Sequence, residues 1–298
     1  MSPAIDLSEL GAVICTYRSR GEVAAAVNSC LGSGLAQEQL AVVDNASDDG
    51  TADLVAERFP QVRLLRLDRN LGFGAANNLA ARDLPGRALL LLNPDAVLVE
   101  DALVVMLRAL DENPRRGAIS PRIDRPDGRL DAACRRSFPT PLTALWRLGG
   151  LSRLRPGSSR FGAYNLTHLP VDQATDVDSG SGACMLILRE VWDKLGGFDQ
   201  RFFMYGEDLD LCWRLQEQGF TVWYEPAARV VHRKGTSSRQ VALLMLVAFH
   251  RSMWRFYRLH YLSGWNALWS PLVGLGILLR LGWLLGLNAV RRNPTVSP

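Results

Sequence analysis

The chain of 298 residues is short of the features that mark several protein classes. Its five cysteines, Cys15, Cys30, Cys134, Cys184 and Cys212, form no CxxC pair and sit mostly in apolar surroundings. Reduced core thiols are favoured over a disulfide framework or a zinc site, and a cytosolic compartment follows. No long apolar run opens the chain, and Asp6 and Glu9 fall within its first ten residues, so no secretory leader is expected there. Repeats and low-complexity segments are missing as well. Charge is close to balanced: a net +4 and a pI near 8.9, spread along the chain, suit an anionic partner without indicating nucleic acid. From Gln240 onward there is no acidic residue at all. What the chain does have is 48% hydrophobic residues, enough for a large core.

The first half alternates in period. Apolar runs at 10–15, 40–43, 62–67 and 88–92 are separated by helical patterns near 21–31, 51–59, 73–82 and 101–110. Such alternation predicts an α/β fold with a Rossmann-like, mostly parallel sheet. Ligands of these sheets bind beyond the carboxyl ends of the strands. Thr16-Tyr17, Asp44-Asn45, Asp68-Arg69-Asn70 and Asn93-Pro94-Asp95 each follow one of the four runs, so polar clusters gather on one edge. Residues 112–175 are rich in Pro, Arg, Gly and Ser and lack periodicity, which predicts a long irregular binding insertion. Order returns with a strand at 183–188, helices at 191–195 and 207–218, and short strands at 221–224 and 229–231.

Six stretches then occur in a telling order: "VICTYRSR", "VVDNASDDGTADLV", "NLGFGAANN", "LLLNPDAVL", "GSGACMLILREVWDKLGGFDQRFFMYGEDLDLCWRLQEQGF" and "VHRKGTSS". Together, over about residues 10–240, they resemble the large inverting glycosyltransferase family 2 of GT-A fold, and most closely its bacterial rhamnosyltransferase branch. The resemblance implies a GT-A domain over 1–239, with 112–175 as an insertion on the acceptor side. It implies a nucleotide-sugar donor, with Thr16, Tyr17, Asp44, Asn70, Gly72, Gly74, Asn78 and Asn93 lining its site and Arg233 and Lys234 meeting its diphosphate. Asp95 and His232 would hold Mg²⁺ or Mn²⁺, with Asn93 standing where the family's aspartate-x-aspartate motif has its first acid. Asp208 would be the catalytic base, with Glu207 orienting acceptor or base and Asp210 serving structure.

Plainer readings stand beside these. Asp95 could cap a helix, and Glu207 and Asp208 could complement a helix N-terminus. Asp48 and Asp49 precede Gly50-Thr51, where turn capping favours such residues. Asn77 or Asn78 could reach a donor hydroxyl or satisfy a neighbouring loop, and the small Gly180-Ser181-Gly182-Ala183 could leave room for a hexose or for backbone packing. A Gly-x-Gly alone is weak, and this one departs from the dinucleotide fingerprint in spacing and place.

Residues 240–298 combine leucine and tryptophan with arginine, which predicts amphipathic or apolar helices lying against a membrane surface, with homodimer helices or a true span as alternatives. The 18-residue uncharged run 262–279 is at the short limit for a span and contains Pro271 and glycines. The implied function is transfer of L-rhamnose from dTDP-rhamnose to a polyprenyl-diphosphate-linked saccharide or growing glycan at the cytoplasmic face of the membrane. The alternatives are a UDP-hexose donor (galactofuranose, N-acetylglucosamine or glucose) in the same fold, and a non-catalytic sugar-binding scaffold.

Overall fold

A computed structural model describes residues 6–233, 242–264 and 266–290. Lys234, one of the two residues expected to meet the diphosphate, lies outside the described residues.

The first half folds as its periodicity requires. Strands β1 (Leu10–Thr16), β2 (Leu40–Asp44), β3 (Arg63–Arg66) and β4 (Ala88–Leu92) are parallel neighbours in the order β3-β2-β1-β4. Helices α1 (Val23–Gly32), α2 (Thr51–Arg58) and α3 (Phe73–Ala81) are the crossovers. β1, β2 and β4 are buried at every position, which is why they read as unbroken apolar runs rather than as alternation.

Beyond β4 the expectation of a mostly parallel sheet fails. Strand β8 (Cys184–Leu188) lies antiparallel between β4 and β6 (Arg116–Asp124), β6 runs parallel to β9 (Thr221–His232), and β5 (Ala96–Val99) and β7 (Thr175–Val177) pair antiparallel with β9. The nine-stranded sheet is therefore mixed. Its strand β6 comes from the stretch expected to be an irregular insertion. β6 carries Arg116, Ser120, Pro121 and Asp124, so no apolar pattern betrays it, yet it is central and nearly all buried. Most of its polar side-chain groups find local partners. Arg116 donates to Ala109 O at 2.5 Å and lies 3.8 Å from the centre of the Trp223 ring, Ser120 Oγ donates to Cys134 O at 2.6 Å, and Asp124 accepts from Arg122 and Arg229. The two short strands expected at 221–231 are one strand, with a register irregularity against β6 at Pro121/Arg122.

After α4 (Ala102–Asp111), α5 (Pro141–Leu148), α6 (Leu151–Leu154) and α7 (Arg189–Leu195) comes α8 (Glu207–Glu217), which carries the acidic motif. Helix α9 (Ala242–His260) packs on α8 through Phe256 and Trp213, whose ring centres are 5.9 Å apart, and through His260 Nε2, 2.9 Å from the buried Asp210 Oδ1. Asp210 also accepts from Arg214 Nε at 2.7 Å, so it serves structure, as expected. Helix α10 (Asn266–Val290) packs on α9, and its stretch Ala267–Ala289, of mean hydropathy 1.7, is only 6% buried. One apolar helix long enough to lie at or cross a membrane is thus present. All five cysteines are buried and free.

Candidate active site

The carboxyl edge of the parallel strands gathers the first set of expected residues. Thr16 and Asp44 end β1 and β2 as register partners, and Thr16 Oγ1 donates to Asp44 Oδ1 at 3.0 Å. Asp44, 3% exposed, takes a second hydrogen bond at Oδ2 from Ser47 N. In the turn after β2, Asp48 pairs with Arg18 at 2.6 Å, and Asp49 accepts from Arg20 N and from Thr51 N at the start of α2. Tyr17 lies beside this edge under the Arg18 guanidinium, 5.4 Å from its ring centre. Asn70 Oδ1 accepts from Gly72 N and closes its own turn.

The glycine-rich stretch has a packing reason besides the one expected. Gly72 has φ of +87°, and a Cβ there would stand 2.4 Å from Phe203 O; a Cβ on Gly74 would meet Phe198 Cβ at 2.9 Å. Both glycines thus clear space for the 198–206 loop, not only for a ligand. Asn78 also serves that loop: its Nδ2 donates to Phe198 O at 2.8 Å and its Oδ1 accepts from Phe198 N at 2.9 Å, the neighbouring-loop contact expected as one of its two uses.

Asn93-Pro94-Asp95 turns the chain from β4 into β5. The β5–β9 ladder pairs Ala96 with His232, and this register brings His232 Nε2 to 3.0 Å from Asp95 Oδ1. His232 Nδ1 stands 3.7 Å from Asp131 Oδ2. Burial alone would lower the imidazole's affinity for a proton, but Asp131 and Asp95 outweigh it and raise its pKa to about 9. Arg233 is exposed, and its N–H donates to Asp95 O. Among the described residues no three His, Cys, Asp or Glu side chains form a ready metal cluster. The pair nonetheless fits a hard cation in partnership with a phosphate-bearing ligand. Asn93 Oδ1 is buried without a hydrogen-bond partner, Asp95 supplies a carboxylate, and a cation would replace the proton His232 shares with it.

The second cluster opens α8. Asp208 Oδ2 accepts from Arg136 Nη2 at 2.7 Å and from Gly182 N at 3.2 Å, and Oδ1 accepts from Leu209 N at 2.8 Å. Of about four acceptor positions on a carboxylate, one at Oδ1 is left over. Burial pulls Arg136 toward the neutral form, but the charge of Asp208 overrides it and raises the guanidinium's pKa. Glu207 is 5% exposed and its Oε2 has no hydrogen-bond partner. Burial, reinforced by the charge of Asp208, pushes its pKa up to about 8, so it holds its proton at neutral pH and can donate. Two adjacent carboxyls are thereby split into an ion-paired acceptor and a neutral donor. The small stretch between β7 and β8 is divided too. A Cβ on Gly180 would collide with Ser120 Oγ at 2.6 Å, so Gly180 serves backbone packing, whereas Gly182 offers its N–H to Asp208.

Sequence reasoning missed Arg136 and Asp131. Both lie in the nonperiodic stretch after β6, where an arginine and an aspartate among many carry no signal of their own.

Comparison with known proteins shows the family and the fold. The family model described as "Glycosyltransferase like family 2" matches residues 8–246. The N-acetylglucosaminyl-diphospho-decaprenol L-rhamnosyltransferase of Mycobacterium tuberculosis (strain ATCC 25618 / H37Rv) is 33% identical over 240 residues, 76% of each chain. The rhamnosyltransferase WbbL of Escherichia coli (strain K12) is 29% identical over 174 residues, 54% of this chain and 60% of that one. In fold, the chain is similar to the mannosyltransferase PcManGT from Pyrobaculum calidifontis in complex with GDP-Man and Mn²⁺, with a TM-score of 0.58 at 16% identity over 96% of this chain and 76% of that one. It is similar also to GalNAc-T7 with UDP, GalNAc and Mn²⁺, with a TM-score of 0.54 at 16% identity over 75% of this chain and 43% of that one. The chain belongs to glycosyltransferase family 2 and has the GT-A fold.

Proposed function

We propose that the chain transfers L-rhamnose from dTDP-rhamnose, with inversion, to a saccharide carried on a polyprenyl diphosphate or a growing glycan at the cytoplasmic face of the membrane. The observation that carries the reading is the placement of Asp208. Its carboxylate is clamped by Arg136 and the Gly182 N–H at the start of α8, with acceptor capacity left on Oδ1. Likeness to a mycobacterial L-rhamnosyltransferase over 76% of both chains supports the choice of sugar.

In this reading the acceptor hydroxyl oxygen attacks the anomeric carbon on the face opposite the nucleoside diphosphate. As that bond forms, the hydroxyl proton passes to Asp208, and the bond to the phosphate oxygen breaks with its electron pair leaving on the diphosphate. Arg136 and Gly182 keep the base in one rotamer throughout. Neutral Glu207 donates a hydrogen bond to acceptor or sugar. Asp44, Thr16, Tyr17 and Asn70 border the nucleoside, and Arg233 stands beside the diphosphate. Asn93, Asp95 and His232 would hold Mg²⁺ or Mn²⁺, which supplies neutralisation of the charge growing on the leaving diphosphate. The bare apolar surface of α10 supports peripheral attachment to the membrane, which presents a lipid-linked acceptor at the site.

A thermal-shift panel of the full chain tests the donor. Stabilisation by dTDP-rhamnose above UDP-hexoses and free nucleoside diphosphates, dependent on Mg²⁺ or Mn²⁺ and lost in EDTA, is expected. A preference for a UDP-hexose overturns the sugar and keeps the fold's chemistry; silence across the panel turns the reading toward a non-catalytic scaffold.

A further inference from the structure

We propose that a second anion site, formed by Arg251, Arg255 and Arg258 of α9 with Arg201 of the loop before α8, takes the diphosphate of the lipid-linked acceptor. The inference rests on the acceptor reading above, and it adds the residues that would grip the lipid end. The four arginines border a cavity of about 450 Å³ whose remaining walls are Trp254, Leu259 and Leu262. This volume lies in the range of small-ligand sites.

Positions 251, 255 and 258 follow the i, i+4, i+7 spacing, so one helix face carries three guanidinium groups whose mutual repulsion disfavours the helix. Among the described residues no carboxylate is within ion-pair distance of any of the three, and no Asp or Glu follows Glu225 in the sequence. Arg201 alone is already paired, with Asp199 at 2.5 Å, and Arg255 lies 5.8 Å from the Phe202 ring centre. A fork of unpaired guanidiniums is the group best matched to a diphosphate.

Two further observations select a diphosphate with an alkyl tail, held near the base. Trp254 and Leu259 lie beside the arginines on α9 and, with Leu262, give the pocket its apolar lining; Trp254 also reaches α10, where a Cβ on Gly274 would stand 3.5 Å from its ring. From there the bare apolar surface of α10 gives an isoprenoid chain or a membrane somewhere to go. On the other side, Arg201 and Phe202 belong to the loop that runs directly into Glu207-Asp208, Phe202 packs with Leu209 and Phe256, and Ser252 Oγ donates to Met204 O at 3.0 Å. None of the pocket's residues belongs to the strand-end set Thr16, Asp44, Asp95 and His232, so donor and acceptor diphosphates would have separate seats.

The test is co-sedimentation of the full chain with phosphatidylcholine vesicles carrying geranylgeranyl diphosphate, against vesicles matched in surface charge with phosphatidylglycerol. Wild type is expected to bind the diphosphate vesicles on the order of tenfold more tightly. Arg251→Gln/Arg255→Gln is expected to lose that preference, and Arg251→Lys/Arg255→Lys to recover part of it. The single exposed-site variant Arg258→Gln, followed with its melting temperature, repeats the comparison if the double variant folds poorly. Equal binding to both vesicles, or an undiminished preference in the glutamine variants, overturns the pocket. The donor panel separates the two readings: a rhamnose-donor response without vesicle preference overturns the pocket alone, and vesicle preference without any donor response overturns the transferase reading and leaves the pocket standing.

Discussion

Arg136 and Asp208 lie 72 residues apart in sequence and meet through a 2.7 Å charge-assisted hydrogen bond, with side chains only 11% and 14% exposed. Arg136 also donates to Gly180 O, so one guanidinium ties the start of α8 to the small-residue turn before β8. Removing it strands a buried carboxylate. Arg136→Met is expected to destabilise the fold by about 3–5 kcal/mol, the range for one partner of a buried pair. Urea unfolding checks this, and Arg136→Lys should recover part of the loss because the charge remains. A methionine variant as stable as wild type would mean that the pair contributes little to holding Asp208.

The proposed metal ligands make a separable prediction. In Asp95→Asn and His232→Ala the donor-induced rise in melting temperature should no longer differ between Mg²⁺ or Mn²⁺ and EDTA, while the response to free nucleoside, seated near Asp44, persists. An unchanged metal response in both variants would place the ion elsewhere.

Glu207 gives the chain a signed pH dependence. Its folded pKa, about 8, lies above the ordinary 4.5, so between these values the native state holds a proton that the unfolded chain has released. The contribution to stability is complete below pH 4.5 and is lost as pH rises through about 8. In EDTA, wild type should therefore lose stability across this window relative to Glu207→Gln, whose side chain does not titrate. Parallel pH curves for the two proteins would show that Glu207 is ionised in the fold.

Gly72 tests the reason for the glycine-rich stretch. Alanine there must adopt φ of +87° and meet Phe203 O, so Gly72→Ala is expected to cost roughly 1–3 kcal/mol or more in a protein without any ligand present. Chemical denaturation reads this directly. A variant of wild-type stability that fails only in donor binding would assign the glycine to ligand approach.

The edge position of Thr16, Asp44 and Asp95 was legible in the sequence because the first two end buried parallel strands and Asp95 follows one, and those strands read as short apolar runs. Asp208 was legible through the family motif and not through any pattern of its own. The packing role of Asn78 and Gly74 was not legible, because the residue both meet, Phe198, is 120 residues away from Asn78. Strand β6 was invisible. Its arginines, serine and proline are paid for by tertiary partners such as the Trp223 face and Cys134 O, which a linear reading cannot supply. Arg136 and Asp131 were lost with it. In the tail, composition announced the apolar α10, whereas the packing of α9 on α8 through Phe256 and His260 depends on partners some 50 residues earlier that composition cannot show.

The proposed rhamnosyl transfer is tested most directly by incubating the full chain with dTDP-rhamnose, a divalent cation and a lipid-linked saccharide, then reading the anomeric configuration of the glycoside by NMR. The expected result is a rhamnoside of configuration opposite to the donor, formed by wild type and reduced about 10²- to 10⁴-fold in Asp208→Asn. Retained configuration, or full activity in Asp208→Asn, would contradict the assignment of Asp208 as the base of an inverting transfer.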